Sequence, residues 1–147
     1  MLRLILKETE EYERLVKFFV ENQLEFDGDE EVDTDIVKCY KVTHGDDFLV
    51  GGVVLAKREG RFIIDGIAVD QMYRKMKVGD ILLKKVIDQV KALGGTELYL
   101  VARAPGFFRK YGFTTIEPEE APNFFECKYC SQYQKTCHPE VMKLEIA

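Results

Sequence analysis

Tryptophan does not occur in this 147-residue chain, proline occurs four times, histidine twice, and no run of uncharged residues is longer than Phe48 to Ala56. That run is far too short to span a bilayer, and the opening "MLRLILKETE" becomes charged too early for a secretion signal, so the expected location is the cytoplasm, with no membrane partner. Basic charge is also scarce: the net charge of −5 argues against a general nucleic-acid binder, which needs a broad basic surface to neutralise phosphates. With two histidines, His44 and His138, histidine chemistry has few places to occur. No linker, repeat or low-complexity tract interrupts the sequence, and 46% hydrophobic content supports one domain, 1–147, with a sizeable core.

What charge there is, is unevenly spread. "EFDGDEEVDTD" (Glu25 to Asp35) packs seven carboxylates into eleven residues. It reads either as a solvated loop or as an electrostatic lip for a cationic amine. Between Gln71 and Lys91 six Lys/Arg face two Asp, a local +4 in a chain whose remainder is therefore −9. Within that segment Val78, Leu82, Leu83, Val86, Ile87, Val90 and Leu93 keep the three-and-four spacing of one buried helix stripe, which predicts a helix starting near Gly79 and capped by Gly94-Gly95. The stretch just ahead, with Arg74, Lys75 and Lys77, reads as a basic loop. A loop that feeds a helix N-terminus offers unpaired backbone N–H groups and the positive end of the helix dipole, a setting that favours phosphate.

The rest of the pattern predicts strands over Met1 to Lys7, Ile36 to Val42, Phe48 to Lys57, Arg61 to Val69, Glu97 to Ala102 and Val141 to Ile146. A helix capped by Thr9 carries Tyr12, Leu15, Val16, Phe19 and Val20 on one side, and a short helix begins at Pro105. The turns "HGDD" and "REG" make the three central strands an antiparallel meander. The fold class is α/β (α+β): a mixed, mostly antiparallel central sheet flanked by helices on both faces. Strand and helix do not alternate throughout, and the glycine pattern of a dinucleotide-binding unit is missing.

Two segments together, "IAVDQMYRKMKVGDILLKKV" and "APGFFRKYGF", resemble the GNAT N-acetyltransferase superfamily, in which Arg/Gln-x-x-Gly-x-Gly/Ala opens a helix and an "FYxxxGF"-like segment follows the next strand. The similarity covers roughly Phe48 to Phe113. The combination of "FF…GF" with a cysteine-rich tail is similar to the short amino-acid N-acetyltransferase, N-acetylglutamate synthase-like branch. The resemblance implies transfer of acetyl from acetyl-CoA, by direct attack, to a primary amine on a small molecule or peptide, and it allows a homodimer. It implies cofactor contacts from Ile67, Ala68, Val69, Arg74, Lys75, Met76, Lys77, Val78, Gly79, Asp80 and Phe108, with the N–H groups near Ile67 to Val69 polarising the thioester carbonyl.

Lys77 stands where the family has its first glycine, and its side chain either crowds the pyrophosphate or, pointing outward, adds a charged contact. Phe108 stands where many members carry a tyrosine that protonates the leaving thiolate. Tyr111, three residues on, is either a substitute acid or a core aromatic. These two departures leave a non-catalytic acyl-CoA-binding or partner-interaction module as the alternative function. For the general base, Asp65 sits four residues before Val69 and shares a predicted strand face with Ile63, Ile67 and Val69; an acid among apolar groups has its pKa raised toward usefulness. A structural carboxylate is the other reading, and His44, in a predicted turn, is the weaker base. Arg103 and Arg109 could meet a substrate carboxylate, although exposure is the commoner fate of arginine. Finally, "CKYCSQYQKTCH" holds Cys127, Cys130 and Cys137 as C-x2-C-x6-C beside His138. That pattern supports either a structural zinc or reduced thiols packed under the last strand, within a cysteine-rich segment 127–138.

Overall fold

The first five strands of the chain lie side by side in sequence order, and only the last two exchange places. The computed structural model describes residues 4–21, 35–58, 60–102, 105–117 and 140–146. β1 (Leu4–Thr9), β2 (Asp35–His44), β3 (Phe48–Arg58) and β4 (Arg61–Val69) form an antiparallel meander. β5 (Glu97–Ala102) runs parallel to β4, β7 (Glu140–Glu145) antiparallel to β5, and the two-residue β6 (Thr114–Thr115) pairs with β7. The order across the sheet is β1-β2-β3-β4-β5-β7-β6. Among the described residues three α-helices accompany it: α1 (Tyr12–Glu21), α2 (Val78–Ala92) and α3 (Pro105–Arg109). None of the described helices is long and apolar enough to cross a membrane.

Strand side chains alternate between the two faces, and each face carries its own helix. On one face Leu15, Phe18 and Phe19 of α1 pack with Cys39 and Val54. On the other, Val78, Leu82, Leu83, Val86 and Val90 of α2 pack with Tyr40, Val53, Leu55 and Ile64. All five α2 residues are 0% exposed, and burial of such side chains contributes about 1.5–3 kcal/mol each. The neighbours Gly51 and Gly52 of β3 point to opposite faces, and a Cβ there would lie 2.7 Å from Val78 and 2.5 Å from Leu15. Both helices therefore approach the sheet centre because β3 has no side chains at those points. α2 ends in a Schellman turn: Gly94, at φ +78°, and Gly95 donate to the carbonyls of Lys91 and Val90.

Several elements differ from their sequence patterns. Thr9 ends β1 instead of capping a helix; its hydroxyl accepts from the Glu11 N–H, and α1 starts at Tyr12. His44 closes β2 and is not in the turn, since the strand continues two residues past Val42. The basic loop is a 3-10 helix, Gln71–Met76, capped by the Asp70 carboxylate, which accepts from the Met72 N–H. β6 has no pattern of its own, being too short for alternation to register.

The deviation with most consequence lies in β4. Val54 opposes Gly66 and Leu55 opposes Ile64, so Asp65 is an extra residue, a β-bulge. The bulge overturns the alternation predicted from sequence. Asp65 bonds to Tyr12 of α1, a Cβ on Gly66 would strike Phe19 of α1, and Ala68 packs with the α1 cluster. Ile67 and Val69, expected beside Asp65, instead pack with the α2 cluster.

Two substitutions test these backbone features. A Cβ on Gly66 would sit 2.4 and 2.7 Å from ring atoms of the fully buried Phe19, so Gly66→Ala should lose roughly 1–3 kcal/mol in urea unfolding. Lys77, at φ +59° and ψ 29°, is the one non-glycine with positive φ among the described residues. That conformation costs an L-residue ~1–2 kcal/mol, against ~0.5–1 kcal/mol for the extra chain entropy of glycine. Lys77→Gly should therefore raise stability by about 0.5–1 kcal/mol and β-branched Lys77→Val should lower it; equal unfolding midpoints would contradict the assigned backbone strain.

Candidate active site

β4 and β5 share a single register pair, Ile63 with Tyr99. Beyond it, from Ile64 to Val69, β4 has no ladder partner on its β5 side among the described residues, and the paired part of the sheet ends there. The bulged Asp65 stands two residues past this last pair, at the vertex of the opening. Its carboxylate is held from two directions: Tyr12 Oη donates to Oδ2 at 3.2 Å and Arg58 Nη2 to Oδ1 at 3.4 Å. The Arg58 and Asp65 side chains are only 6% and 5% exposed. Burial pushes the Asp65 pKa above the usual carboxylate value, and Arg58 and then Tyr12 oppose that shift without cancelling it.

Cys39 lies on the same face as Asp65. Its thiol is pushed up to about 11, first by burial and then by the Asp65 charge. It stays protonated near neutral pH and is no nucleophile. The Tyr12 hydroxyl is raised as well, by burial and then by the Asp65 charge, so it too keeps its proton.

At the far end of β4 the chain passes Asp70 and the 3-10 helix into α2. Tyr73 Oη lies 3.1 Å from His44 Nδ1, and the Tyr73 ring packs on His44 and Phe48. His44 thus anchors this segment to β2. Lys77 occupies the N-cap of α2 and offers no acceptor, so its side chain caps none of the first-turn N–H groups. Lys75, Met76 and Lys77 are exposed, and Val78 is buried under the helix. Arg74 contributes its backbone to the 3-10 helix. Ile67, Ala68 and Val69 are half-buried between Asp65 and this helix start.

α3 crosses beside the same N-terminus. Phe107 lies against Gly79, where an added Cβ would come within 3.2 Å of its ring. Phe108 is 7% exposed and packs edge-to-face on Phe107 and Phe113, so it belongs to the core and it is Phe107 that meets α2. The Tyr111 hydroxyl donates to the Asp80 carboxylate in the first turn of α2. Its pKa is pushed up to about 12 by burial and then by Asp80. Arg109 is exposed and donates to Thr115 Oγ1 at 3.2 Å, on the β6 side.

The structure therefore gathers the sequence candidates into two groups, Asp65 at the vertex and residues 67–80 above it, with Tyr111 tied to the second. Tyr12 and Arg58 were missed because their link to Asp65 is made only by the fold; Tyr12 is 53 positions away. Cys127, Cys130, Cys137, His138, Arg103 and most of the acidic stretch from Glu25 lie outside the described residues. Among the described residues no group of three or more His, Cys, Asp or Glu is placed to hold a metal.

Comparison with known proteins fits this architecture. A family model described as "Acetyltransferase (GNAT) family" matches residues 2–113. No curated protein matches by sequence. Among solved structures, a GNAT-family acetyltransferase from Staphylococcus aureus Mu50 superposes with a TM-score of 0.72 at 18% identity, covering 99% of this chain and 100% of that one. The ribosomal-protein-S18-alanine N-acetyltransferase of Escherichia coli gives 0.65 at 16% identity, with 99% and 95% covered. N-acetylglutamate synthase from Neisseria gonorrhoeae, complexed with coenzyme A and N-acetyl-glutamate, gives 0.67 at 14% identity; 99% of this chain aligns with 35% of that one, so this chain spans about a third of the synthase. At these identities the structures establish a shared fold, and the family model, spanning well over half of the chain, establishes more: the chain belongs to the GNAT acetyltransferase family.

Proposed function

We propose that the chain is an acetyl-CoA-dependent N-acetyltransferase that passes the acetyl group directly to a primary amine. The observation that carries this reading is the opening between β4 and β5, with a buried carboxylate at its vertex and an uncapped helix N-terminus at its end. The open edge of β4 suits an extended, amide-bearing arm that pairs with it as an added strand. The first turn of α2, with Lys75 and Lys77 exposed around it, suits a pyrophosphate. The residues fit coenzyme A in both respects, and the thioester supplies an activated acetyl group.

The chain's own residues supply the rest. An alkylamine with a pKa near 10.4 arrives protonated and must lose a proton before it attacks. Asp65, raised by burial, is the base, acting directly or through water. Arg58 and Tyr12 hold its carboxylate in one orientation. Direct attack is favoured over an acyl-cysteine route because Cys39, the cysteine nearest the site among the described residues, keeps its proton.

Calorimetry tests the cofactor half of this reading. Wild type should bind CoA, and Lys75→Ala with Lys77→Gln should weaken binding and flatten its salt dependence; no binding by wild type would end the proposal. Kinetics tests the base. Asp65→Asn should lower kcat by about 10²-fold with CoA affinity nearly unchanged. In wild type the acid limb of the pH–rate profile should lie above the ordinary carboxylate range, because burial raises the Asp65 pKa, and it should vanish in Asp65→Asn. A profile unchanged by the substitution would remove Asp65 from the mechanism.

A further inference from the structure

At the turn from the 3-10 helix into α2, Lys77 holds a left-handed conformation that glycine adopts freely and lysine does not. A strained residue persists only where its surroundings fix the chain on both sides of it. On the C-terminal side the constraint is Val78, which is 0% exposed in the α2 core. On the N-terminal side there is little to grip. Gln71, Met72, Lys75 and Met76 are all exposed, and Tyr73 is the one half-buried side chain described between Gln71 and Lys77.

Tyr73 reaches the sheet. Its hydroxyl meets His44 Nδ1 at 3.1 Å, and its ring lies 5.9 Å from the His44 ring and 6.2 Å from that of Phe48. His44 and Phe48 are opposed residues of β2 and β3, so the contact pins the 3-10 helix to the end of that hairpin. The backbone bond from the Asp70 N–H to the Val50 carbonyl, 2.7 Å long, fixes the entry to the segment. Between that bond and Val78, Tyr73 is the one described side chain that bonds to a strand.

We propose that Tyr73, held by His44, is a positioning residue for the acetyl donor: the pair does the work of the glycine that the family motif has at position 77. The inference rests on the reading of the α2 N-terminus as the pyrophosphate site. A glycine turn would keep the left-handed geometry unaided. A lysine turn relaxes toward right-handed backbone once one side is released. Rotation at position 77 would carry the 3-10 helix, with Lys75, away from the first-turn N–H groups of α2. The Tyr73 hydroxyl and the strain at Lys77 thus oppose each other across four residues, and their effects on donor binding are coupled.

A double-mutant cycle read by calorimetry tests the coupling. Tyr73→Phe keeps the ring on His44 and Phe48 and loses only the hydroxyl. It should weaken CoA binding about 5-fold and raise KM for acetyl-CoA by a similar factor, with kcat at saturation unchanged. In a Lys77→Gly background, where the lost charge is common to both members of the comparison, the same substitution should cost less than about 2-fold. His44→Leu should reproduce Tyr73→Phe. His44→Asn keeps a polar atom at the Nδ1 position and should bind CoA within about 2-fold of wild type. In the ligand-free chain, exchange of the Ile81 amide hydrogen, bonded to the Lys77 carbonyl, should quicken in Tyr73→Phe.

Equal costs of Tyr73→Phe with lysine and with glycine at position 77 would overturn the proposal, as would wild-type CoA affinity in Tyr73→Phe. Either result would leave the acetyltransferase reading intact. A wild-type chain that binds no CoA would overturn both. If Tyr73→Phe does not fold, His44→Leu and His44→Asn carry the comparison with the tyrosine in place, and equal CoA affinities in those two would overturn the proposal.

Discussion

One extra residue in β4 governs the arrangement of this molecule. A strand in perfect register with β3 would turn Asp65 and Gly66 to opposite faces, and every residue from 66 onward would change sides. The bulge instead sends Asp65 to the α1 face along with Gly66 and Ala68, and returns Ile67 and Val69 to the α2 core. It also coincides with the end of the β4–β5 ladder at Ile63 and Tyr99. Bulges bend a strand and increase its local twist, so a strand bulged here diverges readily from a parallel neighbour. The opening and the carboxylate at its vertex are thus two results of one local insertion.

The other end of the opening depends on a different constraint. The chain must turn from a 3-10 helix into α2 within one residue, and that residue takes a left-handed conformation. Glycine is the natural occupant, and the lysine found there retains strain of about a kilocalorie per mole. In exchange the turn carries a positive charge at a helix N-terminus that the N-cap side chain leaves uncapped. Gly79, next in the motif, is required for a steric reason: Phe107 and Val69 close over it. The two motif positions therefore have different jobs. Position 77 is about backbone conformation and position 79 about close packing, which is why a lysine is tolerated at the first.

Much of this was legible in the sequence, where a signal is periodic or local. The α2 stripe, the meander, the Gly94-Gly95 cap and the strand before α3 all follow from spacing within a dozen residues. The spacing of the two family-like segments likewise pointed to the loop and to α3. What was not legible involves register or distance. A bulge leaves no mark in hydrophobic alternation when its neighbours, Ile64 and Ile67, are apolar on either reading. Tyr12 and Arg58 carry no sign that they will meet Asp65, because that meeting depends on α1 packing across β3 and β4. Thr9 looked like a helix cap since its hydroxyl does bond a backbone N–H, but it does so from the end of a strand.

The Arg58, Asp65 and Tyr12 cluster also shows what a buried carboxylate demands of the fold. The folded pKa of Asp65 lies above its unfolded value, so the native state is favoured by this group when it is protonated. That advantage is complete below the unfolded pKa and is lost as pH rises through the folded one. At neutral pH the ionised carboxylate is therefore a net burden on stability. Arg58 and Tyr12 lighten it, since each interacts better with the anion than with the acid. A stronger ion pair, with shorter contacts than the 3.4 Å seen to Arg58, would lighten it further and would also bring the Asp65 pKa back down toward the ordinary carboxylate value. The loose contact is the compromise: enough countercharge to keep a carboxylate in the core, and too little to remove its basicity.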